Sequence, residues 1–379
     1  MRTLVFDVET TTFQKGNPHA RRNKMVVLGA RFNGENFILW TETPDERKHA
    51  LDTLVGLARQ ADRIIGHNLK FDIKWIRRWL GFEFPLELDV WDTGIAHYIA
   101  TRQRVTYPSL EEVCGFHGVP GKLDVVRLEY WDKGIDTDAI PREVLGGYLS
   151  GDLEATARVY DKQVNSRFDR LVRQSSFDAR VLAEMEWNGL HYNVTGSLAE
   201  AYRLEKDIAA LETELQGIVD PRINWGSYQQ VATVLYGGTI EFERKETYLF
   251  AYKDKRKASV PKTRTVTETV TFPRLVQPLK RKGKESLGTD EGTLQLLDAK
   301  GKAKEIISLK LRRAKLSKLV GTYYRGLPET IEENDWDPGV LHPNLNQTRT
   351  ITGRLSSDNP NEQNLSEGPK RFIVSRYDD

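Results

Sequence analysis

The 379-residue chain is long for one hydrophobic core and comfortable for two domains. With 39% hydrophobic and 29% charged residues and no apolar run of the length a membrane helix needs, it excludes a helical membrane-spanning protein. Net charge is only +2, so affinity for a polyanion has to come from local patches, and the single cysteine, Cys114, excludes an internal disulfide and a multi-cysteine zinc site.

The chain opens MRTLVFDVETTT, with a strand predicted over Thr3–Val8. No basic, apolar, small-residue leader precedes it, so the chain is expected in the cytosol. Asp7 and Glu9 lie two apart and share one face of that strand. Two like charges side by side repel and lose solvation. A solvated edge strand relieves them, and so does a divalent metal ion. Strands predicted at Met25–Phe32, Asn36–Trp40 and Arg63–Gly66 alternate with helices over about Pro44–Ala61, Lys70–Leu80, Thr93–Thr101 and Leu110–Gly118. That order implies an α/β domain on a mixed sheet.

In IIGHNLKFDIKWIRRWL, Asn68 is suited to capping the helix, and Asp72 falls in its first turns, where an acid favours the helix N-terminus. Asp92, in DVWDTGIAHY, reads as a cap or a group behind the ligands. Cys114, in the helix-like SLEEVCGFHG, reads as a packed apolar thiol. In YLSGDLEATARVY, Tyr148 and Asp152 are four apart and share a helix face.

From Asp152 to about Gln216 the periodicity is helical, with a turn at Trp187-Asn188-Gly189. The structural class changes here, and so does the domain. The Thr/Val alternation of TRTVTETVTF predicts a long exposed hairpin within Gly237–Leu287. This is also the basic part of the chain, with eleven Lys or Arg between Lys253 and Lys284 against Asp254 and Glu268. Helical signal resumes from Asp290 to about Leu327, and the last fifty residues read as loop with short strands.

Taken together, DxE (Asp7, Glu9), NxxFD (Asn68, Phe71, Asp72) and YxxxD (Tyr148, Asp152) resemble the DEDD family of 3′→5′ exonucleases, in the subtype that carries a tyrosine. The resemblance implies an RNase H-like fold and two divalent ions, Mg²⁺ or Mn²⁺, held by Asp7, Glu9, Asp72 and Asp152, with Asp7 bridging. Hard cations of this kind prefer oxygen ligands, and a pair of them suits phosphodiester hydrolysis. It implies Tyr148 as the residue that orients the attacking water, since a phenol is a poor base at neutral pH. Asn68 is expected to meet the nucleic acid, and Phe71 is either a platform for the terminal base or a core residue.

The remainder resembles family A DNA polymerases, the DNA polymerase I family with its phage members. The resemblance rests on VLAEMEWNGLHYN, INWGSYQQVATVLY, LGTDEGTLQLL, LRRAKLSKLVGTYYRGL and HPNLNQTRTITGRLSSDNPNEQNL, the last carrying the family's TGRLSS-x-x-PN-x-QN pattern. The family usually has Leu where this chain has Glu362. Lys310, Arg312, Arg313, Lys315 and Lys318 either meet phosphates or form a solvated helix face. Arg354 is the candidate minor-groove contact, with Gln363 and Asn364 supporting it. The hairpin at about 237–287, with Lys280, Arg281, Lys282 and Lys284, either grips duplex DNA or a processivity partner, or is a solvated insertion.

The expected organisation is therefore an RNase H-like exonuclease domain over 1–165 and a mainly helical thumb over 166–340 with the hairpin inserted. Residues 341–379 begin the palm and stop before its first catalytic aspartate. The expected function is a metal-dependent proofreading exonuclease that holds a DNA primer-template and a single-stranded 3′ end, in the cytosol of a bacterium or phage-infected host. Polymerisation would need a second polypeptide with the palm and fingers, or the chain is a truncated piece. A non-catalytic DNA-binding scaffold and a free-standing RNA-trimming exonuclease are the alternatives.

Overall fold

The computed structural model describes residues 1–121, 125–250, 259–281 and 284–375. The chain forms two compact units, one of Met1–Val194 together with the stretch from Leu327 onward, and one of Thr195–Gly326.

In the first unit, β1 (Thr3–Thr10) pairs antiparallel with β2 (Met25–Phe32), and β2 antiparallel with β3 (Glu35–Trp40). On its other side β1 runs parallel to β4 (Arg63–Gly66), and β4 parallel to β5 (Asp89–Asp92). The sheet order β3-β2-β1-β4-β5 makes β1 central in a mixed sheet. It is not the solvated edge that its two acids alone allowed. The sequence does not predict β5: its four residues are bounded by Asp89 and Asp92, and only pairing with β4 and burial of Val90 and Trp91 favour a strand there.

Helices α1 (Pro44–Ala58) and α2 (Leu69–Leu80) supply Leu54, Leu69, Trp75 and Ile76 to the cluster holding Leu4, Phe6 and Val8 of β1. Thr43 and Glu46 form a reciprocal capping box on α1, which accounts for its sharp start. Next come α3 (Thr93–Ala100), α4 (Leu110–His117), α5 (Val125–Glu129), α6 (Arg142–Gln163) and α7 (Asp169–Asn188). Ile95 of α3, Leu153 of α6 and Ala179 of α7 pack with Val5 of β1. Strand alternation therefore turns Asp7 and Glu9, which share Val5's side, toward α6. Cys114 is buried beside Val113, Val119, Ala155 and Val159.

The first unit runs beyond residue 165 because α7 packs on α2 and β5. Helix α7 ends at Asn188, and Gly189, with a positive φ of 62°, breaks it within the Trp187-Asn188-Gly189 stretch where a turn is expected. A short strand, β6 (Leu190–Tyr192), follows.

The second unit holds α8 (Val194–Ile218), α9 (Tyr228–Tyr236) and then two hairpins in place of the single one expected. The long ribbon pairs β7 (Gly238–Phe250) with β8 (Val260–Phe272), and the short one pairs β9 (Leu279–Arg281) with β10 (Lys284–Ser286). After α10 (Glu291–Gln295) comes α11 (Gly301–Lys318), whose Ala303, Ile306 and Ile307 pack with Leu211, Trp225, Val231 and Leu235. The chain then returns to the first unit with α12 (Gly326–Glu333), β11 (Val340–Leu341), β12 (Asn344–Asn346), β13 (Ser356–Asp358), α13 (Glu367–Lys370) and β14 (Ile373–Val374). Strands β11 and β14 flank β6, and β12 pairs with β13. Among the described residues no helix is long and apolar enough to cross a membrane.

Candidate active site

A cleft of about 520 Å³ opens in the first unit, and Asp7, Glu9, Tyr148 and Asp152 line it. One carboxylate oxygen each of Asp7, Glu9 and Asp152 lie within 4.8 Å of one another. Asp152 is buried, whereas Asp7 and Glu9 are partly exposed. The β1–β2 register shifts between Glu9 and Thr10, so the strand leaves its regular ladder just after the second acid.

Asp72 joins through the backbone. The amide of Val8 donates to Asp7 Oδ1 at 3.0 Å and to Asp72 Oδ1 at 3.1 Å, so one N–H holds both carboxylates. Asp72 is buried at 2% exposure. Burial first, and then the negative charge of Asp7, raises its carboxyl well above the ordinary range. Four carboxylates gathered here, one of them strongly penalised for its charge, fit a hard divalent cation.

Two glycine and helix-end details bring these acids together. Gly29 sits opposite Asp7 in the β1–β2 register, and a Cβ on it would lie 2.8 Å from Leu149 and 2.9 Å from Leu153 of α6. Only glycine lets α6 approach closely enough to present Tyr148 and Asp152 to β1. Asn68 begins α2 in a left-handed conformation (φ 62°, ψ 47°) and makes no side-chain cap, contrary to the capping role expected of it. Asp92 supplies the cap: its Oδ2 accepts from Leu69 N at 2.8 Å, and its Oδ1 accepts from Gly94 N and Ile95 N at the start of α3. Asn68 is exposed and lines the cleft.

Phe71 is partly buried against the cluster under β1. Besides Tyr148, Trp131 and Tyr107 contribute aromatic surface to the cleft. Trp131 packs edge-on to Tyr148, with ring centroids 5.9 Å apart. Tyr107 donates its hydroxyl to Asn346, and its amide donates to Thr348 O at 3.3 Å. The sequence motifs single out neither ring, nor His67, Lys70 or Asn346–Thr348, which also line the cleft. Lys70 stands inside NxxFD, where it reads only as a helix residue. Asn346–Thr348 lie just ahead of the TGRLSS pattern, which points to duplex contacts instead.

The basic candidates sort by environment. On α11, Arg312, Lys315 and Lys318 are exposed, while Lys310 donates to Thr289 O at 2.6 Å and Arg313 pairs with Glu212 at 2.6 Å. Arg354, Gln363, Asn364 and Lys280 are exposed. Lys282 lies outside the described residues. The ribbon strands are charge-balanced: Glu241, Glu243, Glu246 and Glu268 offset Arg244, Lys245, Lys262 and Arg264.

A central mixed strand bearing paired acids, opposed by a helix bearing a third, defines a candidate metal-assisted hydrolytic site. Comparison with known proteins then gives its relatives. The model of DNA polymerase family A matches residues 264–373. The chain is 26% identical over 330 residues to a DNA polymerase of Bacillus phage SP01, covering 81% of this chain and 34% of that protein. It is 26% identical over 321 residues to DNA polymerase I of Synechocystis sp., covering 82% and 27% respectively. DNA polymerase I of Thermus filiformis is 32% identical over 187 residues, 49% of this chain and 18% of that one. Among solved structures, the fold matches the POL domain of Pol1 from M. smegmatis in complex with DNA primer-template and dNTP, with a TM-score of 0.58 at 17% identity over 98% of this chain and 54% of that one. Residues 264–373 are thus similar to family A DNA polymerases, and the chain spans about a third or less of the length of these curated relatives. They lend no support to the second polypeptide expected from the sequence.

Proposed function

We propose that the first unit is a metal-dependent 3′→5′ exonuclease acting on DNA, and that the chain also binds primer-template. The observation that carries this reading is the convergence of Asp7, Glu9 and Asp152 within 4.8 Å, with Asp72 on the same Val8 amide as Asp7. Asp7, Glu9, Asp72 and Asp152 would hold two divalent ions, Mg²⁺ or Mn²⁺, which when bound supply a nucleophile at neutral pH and offset charge on the leaving oxygen. Tyr148, which lines the cleft with Asp152, would orient the attacking water through its hydroxyl. Trp131 and Tyr107 offer faces on which a base can stack without reading its identity. Asn68, exposed in the cleft lining, would meet the backbone of the DNA strand.

The sheet order with β1 at its centre supports the RNase H-like reading of this unit. Exposed Arg312 and Lys315 on α11, with Arg354, Gln363 and Asn364 in the region matching family A, are the proposed duplex contacts. The relatives are DNA polymerases, which favours DNA over RNA as substrate and proofreading as the setting.

The test is polarity and sugar preference. Single-stranded DNA and RNA of one sequence, each labelled at the 5′ end, are incubated with the chain and Mg²⁺. The reading expects a ladder of products shortened from the 3′ end on DNA. Release of the 5′ label as a mononucleotide, or faster loss of the RNA, would overturn it.

A further inference from the structure

Val181–Asn193, part of the family A resemblance, contains a glutamate that the exonuclease reading has not used. Glu186, on α7, is 1% exposed. Its Oε1 accepts from Lys70 Nζ at 2.5 Å and from Leu345 N at 2.6 Å, and its Oε2 accepts from Lys74 Nζ at 2.6 Å. Lys70 donates in addition to Leu345 O, and His342 Nδ1 donates to Glu186 O at 2.9 Å. One carboxylate therefore ties together α7, the first turns of α2 and β12. The chain after α7 is equally close: a Cβ on Gly189 would lie 2.7 Å from Leu341 O and 2.9 Å from His342 Nδ1.

What these pieces carry is the cleft. Lys70 is two residues from Asn68 and two from Asp72, and Leu345 adjoins Asn346, Gln347 and Thr348, which line the wall. Burying one carboxylate with two ammonium groups is a poor way to gain stability, because desolvation offsets much of the attraction. Apolar side chains would fill the same space at lower cost. A carboxylate with three donors instead fixes direction, since each hydrogen bond specifies an angle as well as a distance.

We propose that Glu186 is a positioning residue for the metal site: it fixes the start of α2, and with it Asp72, against the wall formed by residues 345–348. This rests on the exonuclease reading and adds a residue to it. Groups that orient metal ligands from behind change metal affinity by about 10- to 100-fold when replaced.

The test is Mn²⁺ binding to the full chain, followed by electron paramagnetic resonance, with D7A defining the signal that belongs to the site. E186Q/K74M removes one charge of each sign and keeps the cluster's net charge. E186L/K70M/K74M replaces the cluster with apolar groups and covers the case in which the first variant does not fold. Circular dichroism and melting establish folding. The expected result is a dissociation constant for Mn²⁺ raised about tenfold in the folded variant, with the Mg²⁺ concentration for half-maximal cleavage moved by the same factor. K74M, which leaves Oε1 with Lys70 and Leu345, is expected to bind Mn²⁺ like the wild type. Wild-type Mn²⁺ affinity in a folded variant lacking Glu186 overturns the positioning role. Mn²⁺ binding indifferent to D7A overturns the exonuclease reading itself, so the two failures are distinguishable.

Discussion

At the scale of single residues, the cleft places charge where the protein alone does not tolerate it well. Asp72 is buried against Asp7, and its carboxyl is raised well above the ordinary range by burial and then by that neighbour. Asp72→Asn keeps an acceptor for the Val8 amide and removes the penalised charge. The melting temperature without metal is therefore expected to rise, while cleavage falls by about a hundredfold or more. A variant that lost activity and stability together would argue for a purely structural Asp72. Glu362 is a second such carboxyl. Burial raises it from 4.5 to about 7, and its Oε1 has no hydrogen-bond partner among the described residues. The folded state then holds a proton that the unfolded state has lost between about pH 4.5 and 7, so stability falls as pH rises through that window and levels off above it. Glu362→Leu should remove the slope, with a gain at pH 8 of at most about 2 kcal/mol after allowing for partial exposure. Thermal melts of both proteins across pH 5 to 8 check this, and parallel curves would refute it.

At the scale of elements, the site depends on how closely α6 lies on β2. Gly29→Val would drive a branched side chain into Leu149 and Leu153, with an overpacking cost of about 1–3 kcal/mol. Because Asp152 rides on α6, cleavage should fall more than stability does. Leu149→Ala in the same chain should restore part of it, a coupling that a double-mutant cycle measures. Additive effects would mean that α6 does not set the geometry. The same elements show what the sequence could reveal. Strand β1, α2 and α6 are legible because α2 has a strong apolar periodicity, Asp7 and Glu9 fall two apart on a strand, and Tyr148 and Asp152 fall four apart on a helix. Strand β5 is not, since four residues bounded by aspartates have no periodicity of their own. Asn68 reads as a cap, but at the start of α2 it is Asp92, distant in sequence, that accepts from the Leu69 amide, from a neighbouring strand end.

At the scale of the whole molecule, net charge of +2 leaves binding to the distribution of a few exposed bases. Arg312→Ala with Lys315→Ala should lower the slope of log affinity for duplex DNA against log salt by about two units, near 0.9 for each phosphate that is no longer neutralised. Arg244→Ala with Lys245→Ala, in the charge-balanced ribbon, should change it much less. Equal slopes for the two pairs would remove α11 as the duplex-binding element. This distinction is not legible in the sequence, where the basic count from Lys253 to Lys284 conceals that the paired strands carry as many acids as bases. The acids of the proposed metal site are legible from their order along the chain, whereas the cleft wall from Asn346 to Thr348 comes from a segment nearly two hundred residues beyond Asp152. No local pattern announces such a meeting of distant segments.

These four carboxylates are proposed to make a hydrolytic site for a DNA 3′ end. The most direct test is a single-turnover time course on a 5′-labelled primer-template with a mismatched 3′ terminus, with Mg²⁺, comparing the wild type with Asp7→Ala. Stepwise removal of terminal nucleotides is expected from the wild type and, in a folded Asp7→Ala protein that still binds the DNA, loss of that removal. Equal shortening by both proteins, or none by a folded wild type that binds the DNA, would contradict it.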